Sequence, residues 1–149
     1  MLNFWHYNAR LEADGFQRLV SAEDAAATLG SLGPVSAIGY VFSDAWAAEN
    51  PDAAKGFVKA SRDTKKLLND SDDEWARLGS SGAIKDKGKA LTTLRDRFRE
   101  GIPARAIADE IEDAGNLYKV LAELGGPKLV GESPVMVEGT YWPALQGMQ

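Results

Sequence analysis

The sequence predicts an α/β fold, and three observations predict it. An aromatic stretch at the start, "LNFWHY", reads as a strand. A longer apolar stretch, "VSAIGYVFS", reads as a buried strand. From Asp44 onward the character turns helical, in a run of helices that lasts to Gly125–Gly126. The expected order is strand, helix, strand, one strong strand, then a run of helices.

Leu2 to Tyr7 gathers three aromatic rings and the single histidine at Phe4, Trp5, His6 and Tyr7, a composition enriched in strands. Asn8 to Asp14 reads as a short helix closed by Gly15, and Phe16 to Val20 as a second strand. Ser21, with Asp24 three places on, is a capping signature ahead of an alanine-rich turn. Gly30, Gly33 and Pro34 punctuate a loop. Val35 to Ser43 is apolar enough on both faces to lie inside a sheet.

The helical part begins with "DAWAAENPD", stopped at Asn50. Asn50 then serves as N-cap of the next helix, with Pro51 at its first position, where a missing N–H costs nothing. That helix carries Ala54, Phe57, Val58, Ser61 and Leu68 along one stripe and Lys55, Lys59, Arg62, Lys65 and Lys66 outside it. "SDDEWARLG" starts on a Ser71 cap with acids at its positive end and stops at Gly79. After the polar loop "SSGAIKDKGK" comes a helix with Leu91, Leu94 and Phe98 on one face, broken at Gly101–Pro103. Ala104 to Leu124 is the longest helix, with Ile107, Ile111, Ala114, Tyr118 and Leu121 at helical spacing and Gly125–Gly126 ending it. "KLVGES" reads as a closing strand and "PVMVEGTYWPALQGMQ" as an extended tail.

Composition bounds the function. At 149 residues, 44% hydrophobic and 26% charged, the chain has the make-up of one ordinary globular domain. A net charge of −5 argues against nucleic acid or an anionic membrane as the main partner. There is no cysteine, so disulfides, thiolate metal sites and cysteine nucleophiles are excluded. No apolar run approaches the ~20 residues that span a bilayer, and the sequence shows no signal-peptide pattern. One histidine cannot form the usual metal site, and neither a GxSxG elbow nor a phosphate-binding loop is present. The acids of "SDDE" and "ADEIED" lie on amphipathic helices, where solvation is the default. The expectation is a protein that is not an enzyme, with no catalytic residue, metal or cofactor.

Binding is better supported. In open α/β sheets, ligands lie beyond the carboxyl ends of strands, where Trp5, His6 and Asn8 would stand. Aromatic faces, an imidazole and an amide supply apolar walls and a few directed hydrogen bonds. Strand alternation places Trp5 and Tyr7 on one face and Phe4 and His6 on the other.

The segment "GYVFSDAWAAENPDAAKGFVKAS" resembles the crossover of the substrate-binding proteins of ABC importers of the nitrate/sulfonate/taurine type. There a strand ending in a serine leads to an aromatic-bearing helix, then "NP" and a long helix. Tyr40, Ser43, Trp46, Asn50, Pro51 and Phe57 stand at those places. "LNFWHYNARLEADGFQRLV" resembles the preceding segment, although many relatives have an aspartate and a proline where His6 and Tyr7 stand here. "FREGIPARAIADEIEDAGNLYKVLAELGG" is similar to the helical C-terminal portion of a subgroup. The resemblance spans most of the 149 residues but only the C-terminal half of such a protein.

The resemblance implies part of a type II periplasmic binding protein fold, whose two α/β lobes close on a ligand about a hinge. Residues 1–34 would end the second lobe as strand–helix–strand. Residues 35–43 would be the hinge crossover strand, and 44–149 the helix-rich C-terminal part of the first lobe. It implies solute capture for an importer, with Tyr40 and Ser43 joining Trp5, His6 and Asn8 as ligand residues. The full-length parent would be periplasmic or at the cell envelope, its partners a small-molecule ligand and the membrane permease of the importer. Two or three parallel-type strands leave unpaired edges, so the missing sheet neighbours are expected to belong to an absent half, and the exposed strand edges to drive homo-oligomer formation. Two alternatives stand beside this. One is a small α-rich interaction domain with Phe4 to Tyr7 as docking patch, favoured if the N-terminal segment packs as a helix on the chain's own helices. The other is a pyrimidine-synthesis enzyme of the related fold, which would need a set of iron-binding histidines.

Overall fold

A computed structural model describes residues 2–36 and 38–147. Among the described residues the chain is helical, 62% helix with no strand. In chain order the elements are α1 (Trp5–Ala13), α2 (Ala22–Thr28), α3 (Asp44–Glu49), α4 (Pro51–Asp70), α5 (Asp72–Ser80), α6 (Lys89–Glu100), α7 (Ile107–Gly125), α8 (Pro127–Val130) and a closing 3₁₀ turn (Pro143–Gly147). No described helix is long and apolar enough to cross a membrane.

The α/β expectation, and with it the partial type II periplasmic binding protein fold, is therefore corrected. The strand assigned to Leu2–Tyr7 is instead an extended cap at Phe4 running into the first turn of α1. Trp5 and Ala9, four residues apart, share one helical face. Ala9 is fully buried on that face, and the Trp5 ring lies 6.3 Å from Phe98 of α6. Packing on α6 overrides the strand preference of the aromatics. Phe16–Val20 forms no strand, with Leu19 almost fully exposed. Val35–Ser43 has no regular structure over its described residues, Ala37 lying outside them. "KLVGES" contains α8, which starts on Pro127 and ends at Gly131.

Two compact units emerge, each assembled from two segments of the chain. Met1–Arg18 with Tyr40–Ile102 makes the first, and Leu19–Gly39 with Pro103–Gln149 the second.

In the first unit α1 packs chiefly on α6, and α5 packs against both α4 and α6. Trp75 of α5 is the largest buried side chain, its ring 5.5 Å from Phe98 and its indole N–H donating to the Leu68 carbonyl at 2.8 Å. Ala9, Ala47, Ala54 and Leu94 complete the buried set. Ion pairs frame it. Arg10 grips Asp86 through two bonds of 2.8 and 2.9 Å, and Arg97 joins Glu12 of α1 to Glu100.

The second unit is organised by charge. The expected Ser21–Asp24 cap is present in both directions, each side chain bonded to the other residue's backbone N–H at 2.9 Å. The buried residues here are two acids of α7, Glu110 and Asp113. Glu110 accepts from the Ser36 amide at 2.9 Å. Asp113 accepts from the Leu32 amide at 3.0 Å and from Arg105 at 2.7 Å. The loop around Gly33 and Pro34 is thereby fastened to α7 by its own backbone. Arg105, also donating to the Pro34 carbonyl, occupies the space a side chain at Gly33 would need.

Candidate functional site

The Ser43 hydroxyl accepts the Trp46 amide at 3.1 Å, so this residue caps α3 and fixes the turn that carries Trp46. One helical turn later the Asn50 amide group donates back to the Trp46 carbonyl at 3.0 Å, while the Asn50 backbone opens α4. Asn50 thus holds the N-cap position that its sequence context predicts, but its side chain closes α3 instead of capping α4. The extended segment before Ser43 lies across this corner. The Tyr40 ring meets Phe57 of α4 edge-on at 4.7 Å, and Phe42 lies 6.1 Å from Trp46.

The result is an aromatic cleft of about 240 Å³ lined by Tyr40, Val41, Phe42, Trp46, Ala54 and Phe57. Its walls stay open to solvent: Tyr40 is 70% exposed, Val41 95%, Trp46 43% and Phe57 47%. A cleft with aromatic walls and this much apolar surface at its rim is unusual on a finished monomer surface.

α4 extends the apolar surface. Of its twenty residues only Ala54, Val58, Ser61, Lys65 and Leu68 are covered, a single stripe; the other fifteen are exposed. Beside that stripe, Ala53, Gly56, Phe57, Ala60, Thr64 and Leu67 fall within an arc of about 100° at 3.6 residues per turn, all exposed. The helix therefore has an inner apolar stripe turned to its own unit and an outer one that meets solvent. The outer stripe shares Phe57 with the cleft.

The residues expected to bind ligand divide into two groups. Tyr40 lines the cleft and Ser43 shapes it. Trp5, His6 and Asn8 sit on α1 and do not line it. His6 stacks parallel to Phe4 at 6.1 Å and lies 4.3 Å from Tyr7, and the Asn8 side chain donates to the Asn3 carbonyl at 3.2 Å. These contacts build an aromatic collar around the first turn of α1. Phe42, Trp46 and the outer face of α4 were the residues that binding arguments from sequence missed. Their signal is the close aromatic spacing of "YVFSDAW" and a second apolar stripe in "PDAAKGFVKASRDTKKLL".

A second depression of about 400 Å³, lined by Glu12, Phe16, Gln17, Arg18 and Arg97, is wide and polar. Arg97 there is already neutralised by Glu12 and Glu100. Among the described residues no three His, Asp or Glu side chains converge as a metal-binding group. The titratable groups with displaced pKa values serve as fasteners. The Arg105 guanidinium, then the Leu32 amide, hold the Asp113 carboxyl below the usual carboxylate range, and Arg10 does the same for Asp86. Burial, then the Glu110 carboxylate, raises the Tyr141 phenol above its ordinary value.

Compared with protein-family models and with curated proteins, the sequence matches none.

Proposed function

We propose that the chain is a non-catalytic protein-docking module that receives a helix on the outer face of α4 and in the adjoining aromatic cleft. The observation that carries this reading is α4 itself: a twenty-residue helix that buries one side chain, Ala54, and exposes Phe57 and Leu67 on a continuous apolar stripe. Helices take most of their stability from packing of an apolar face, and an apolar groove read at helical spacing is how an amphipathic helix is recognised.

Helical packing of the N-terminal segment on α6 also favours the interaction reading, the condition under which the sequence preferred it. Solute capture for an importer, which the resemblance implies, loses the paired α/β lobes that would form its jaw.

The test is a photo-crosslinking amino acid at Phe57, with the same group at Lys89 on α6 as control. A protein-sized adduct formed from position 57 and absent from position 89 is the expected result. No protein adduct, together with thermal stabilisation by a sulfonate, nitrate, an amine or an aromatic acid that Trp46→Ala abolishes, would overturn docking and restore solute binding.

A further inference from the structure

We infer that the Tyr40–Val41 peptide bond is a cleavage site for an endoprotease that takes an aromatic side chain, and that the cut chain stays assembled as a two-chain protein. Three observations carry this.

The first is the backbone. A protein that receives an extended peptide pairs with its main-chain groups, which must be free of bonds within their own fold. Nicking therefore concentrates where the chain is exposed and unpaired. Val35–Ser43 has no regular structure over its described residues. Ile38, Gly39, Tyr40 and Val41 make no backbone hydrogen bond to another described residue. Ile38 is 77% exposed and Val41 almost wholly so, and the Tyr40 ring is held by a single ring contact, to Phe57.

The second is the side chain. An apolar slot for the residue before the cut selects an aromatic ring, and among the described aromatics Tyr40 fits this geometry best. Trp5, Tyr7, Trp46, Phe57, Trp75, Phe98 and Tyr118 lie within helices, and Phe4 caps one. Phe16 follows α1 directly and its amide donates to the Leu11 carbonyl at 3.0 Å, so the residues before it are still wound. Phe42 immediately precedes Ser43, the cap of α3, so the residues after it are helical. Tyr141 is half-buried beside Glu110, and Trp142 is followed by Pro143, which has no N–H to offer. Only Tyr40 has unwound chain on both sides.

The third is what holds the two pieces. Residues 1–40 are fastened within each unit. In the first, Ala9 is buried, Trp5 lies 6.3 Å from Phe98, and Arg10 and Glu12 pair with Asp86 and Arg97. In the second, the Leu32 and Ser36 amides donate to Asp113 and Glu110, and the Pro34 carbonyl accepts from Arg105. Two attachments on one piece each raise the effective concentration of the other.

Hydrolysis breaks the bond between the Tyr40 carbonyl carbon and the Val41 nitrogen. Water gives its hydroxyl to the carbon and its remaining proton to the nitrogen; the new acid then loses a proton and the new amine gains one. Both residues line the aromatic cleft. The cut thus replaces part of an apolar rim with a carboxylate and an ammonium, and frees the Tyr40 ring from the chain that leads it across Phe57.

The experiment is brief digestion of the native full chain with chymotrypsin, read by mass spectrometry. The first products are expected to be residues 1–40 and 41–149, eluting together from a sizing column and separating only in denaturant. Val41→Pro removes an N–H that bonds to nothing and keeps Tyr40 extended, so it should slow this cut about tenfold or more with circular dichroism unchanged. Arg10→Ala with Asp113→Ala should let the shorter piece escape after cutting. A first cut elsewhere, at Phe16, Leu19 or Leu32, would overturn the site. So would a bond at Tyr40 as resistant as those at the helical aromatics, or a Val41→Pro chain cut at the wild-type rate. Pieces that part without denaturant would overturn the assembled product.

Discussion

The two units of this chain solve the same problem with opposite chemistry. Among the described residues, every buried hydrophobic residue belongs to the first unit, and both buried charged residues belong to the second. In the first, Trp75, Phe98, Leu94 and Ala9 interlock three helices. In the second, Glu110 and Asp113 seize backbone amides of the loop that faces α7. A loop carrying Gly33 and Pro34 offers few side chains to bury, so its N–H groups become the handles, and a carboxylate is the acceptor that holds them most firmly. Apolar packing leaves surplus apolar surface wherever a helix outgrows its neighbours. Carboxylate fastening depends instead on pH.

The most damaging way to break the contrast is Trp75→Ala. It removes the central ring of the first unit and the bond to the Leu68 carbonyl, and large aromatic truncations of this kind cost about 3–5 kcal/mol. Urea denaturation should show that loss, with exchange protection collapsing in α5 and α6; a cost below about 1 kcal/mol would mean Trp75 is not the centre of that unit.

Acid is the lever on the second unit. The Asp113 carboxyl is held below its ordinary value, so its contribution is present above the unfolded carboxylate pKa of about 3.9 and disappears as pH falls through the lower folded value. The Leu32 amide should therefore lose exchange protection as the pH falls below about 4 while remaining protected at pH 7. Asp113→Ala should release the Leu32 amide at any pH. Protection unchanged in that variant would show that the loop is held by something other than α7. The first unit carries the same dependence at one ion pair, because Asp86 is likewise lowered by Arg10.

The smallest expected effect is a gain. Gly56 lies inside α4, its added methyl would touch nothing of its own chain, and glycine costs a helix interior about 1 kcal/mol relative to alanine. Gly56→Ala at dilute concentration should raise stability by about that much. A loss instead would place an unseen constraint on the backbone there.

What was legible in the sequence follows the range of the interactions that decide each element. The Ser21–Asp24 cap, Asn50–Pro51 as the start of α4, Ser71 as the cap of α5 and the glycine stops near Gly79, Gly101 and Gly125 are local signals, and all are found in place. The stretches "FWHY" and "VSAIGYVFS" fail for the opposite reason. Aromatic and β-branched residues state only that a segment seeks cover, and the choice between sheet and helix-face cover is made by what packs against it. The incompleteness of the expected sheet was itself visible in the sequence. It was read as the mark of absent strands, when the simpler resolution was that no strands form. At the candidate site, Tyr40 and Ser43 entered through the resemblance, and the structure sets Tyr40 in the wall of the cleft and Ser43 as the cap that carries Trp46. Trp5, His6 and Asn8 were tied to a strand end that does not exist.

The support of α4 carries one more consequence. At one end the corner residue Asn50 locks α3 to the start of the helix. At the other, Trp75 and Arg99 both donate to the single carbonyl of Leu68, and Ser71 begins the next helix at once. The helix is a beam clamped on two piers with its span uncovered. An incoming chain meets a rod already straight and already wound, so little ordering entropy on this side opposes the encounter. The rate of association should then be governed by collision and alignment, without a wait for the receiving helix to form.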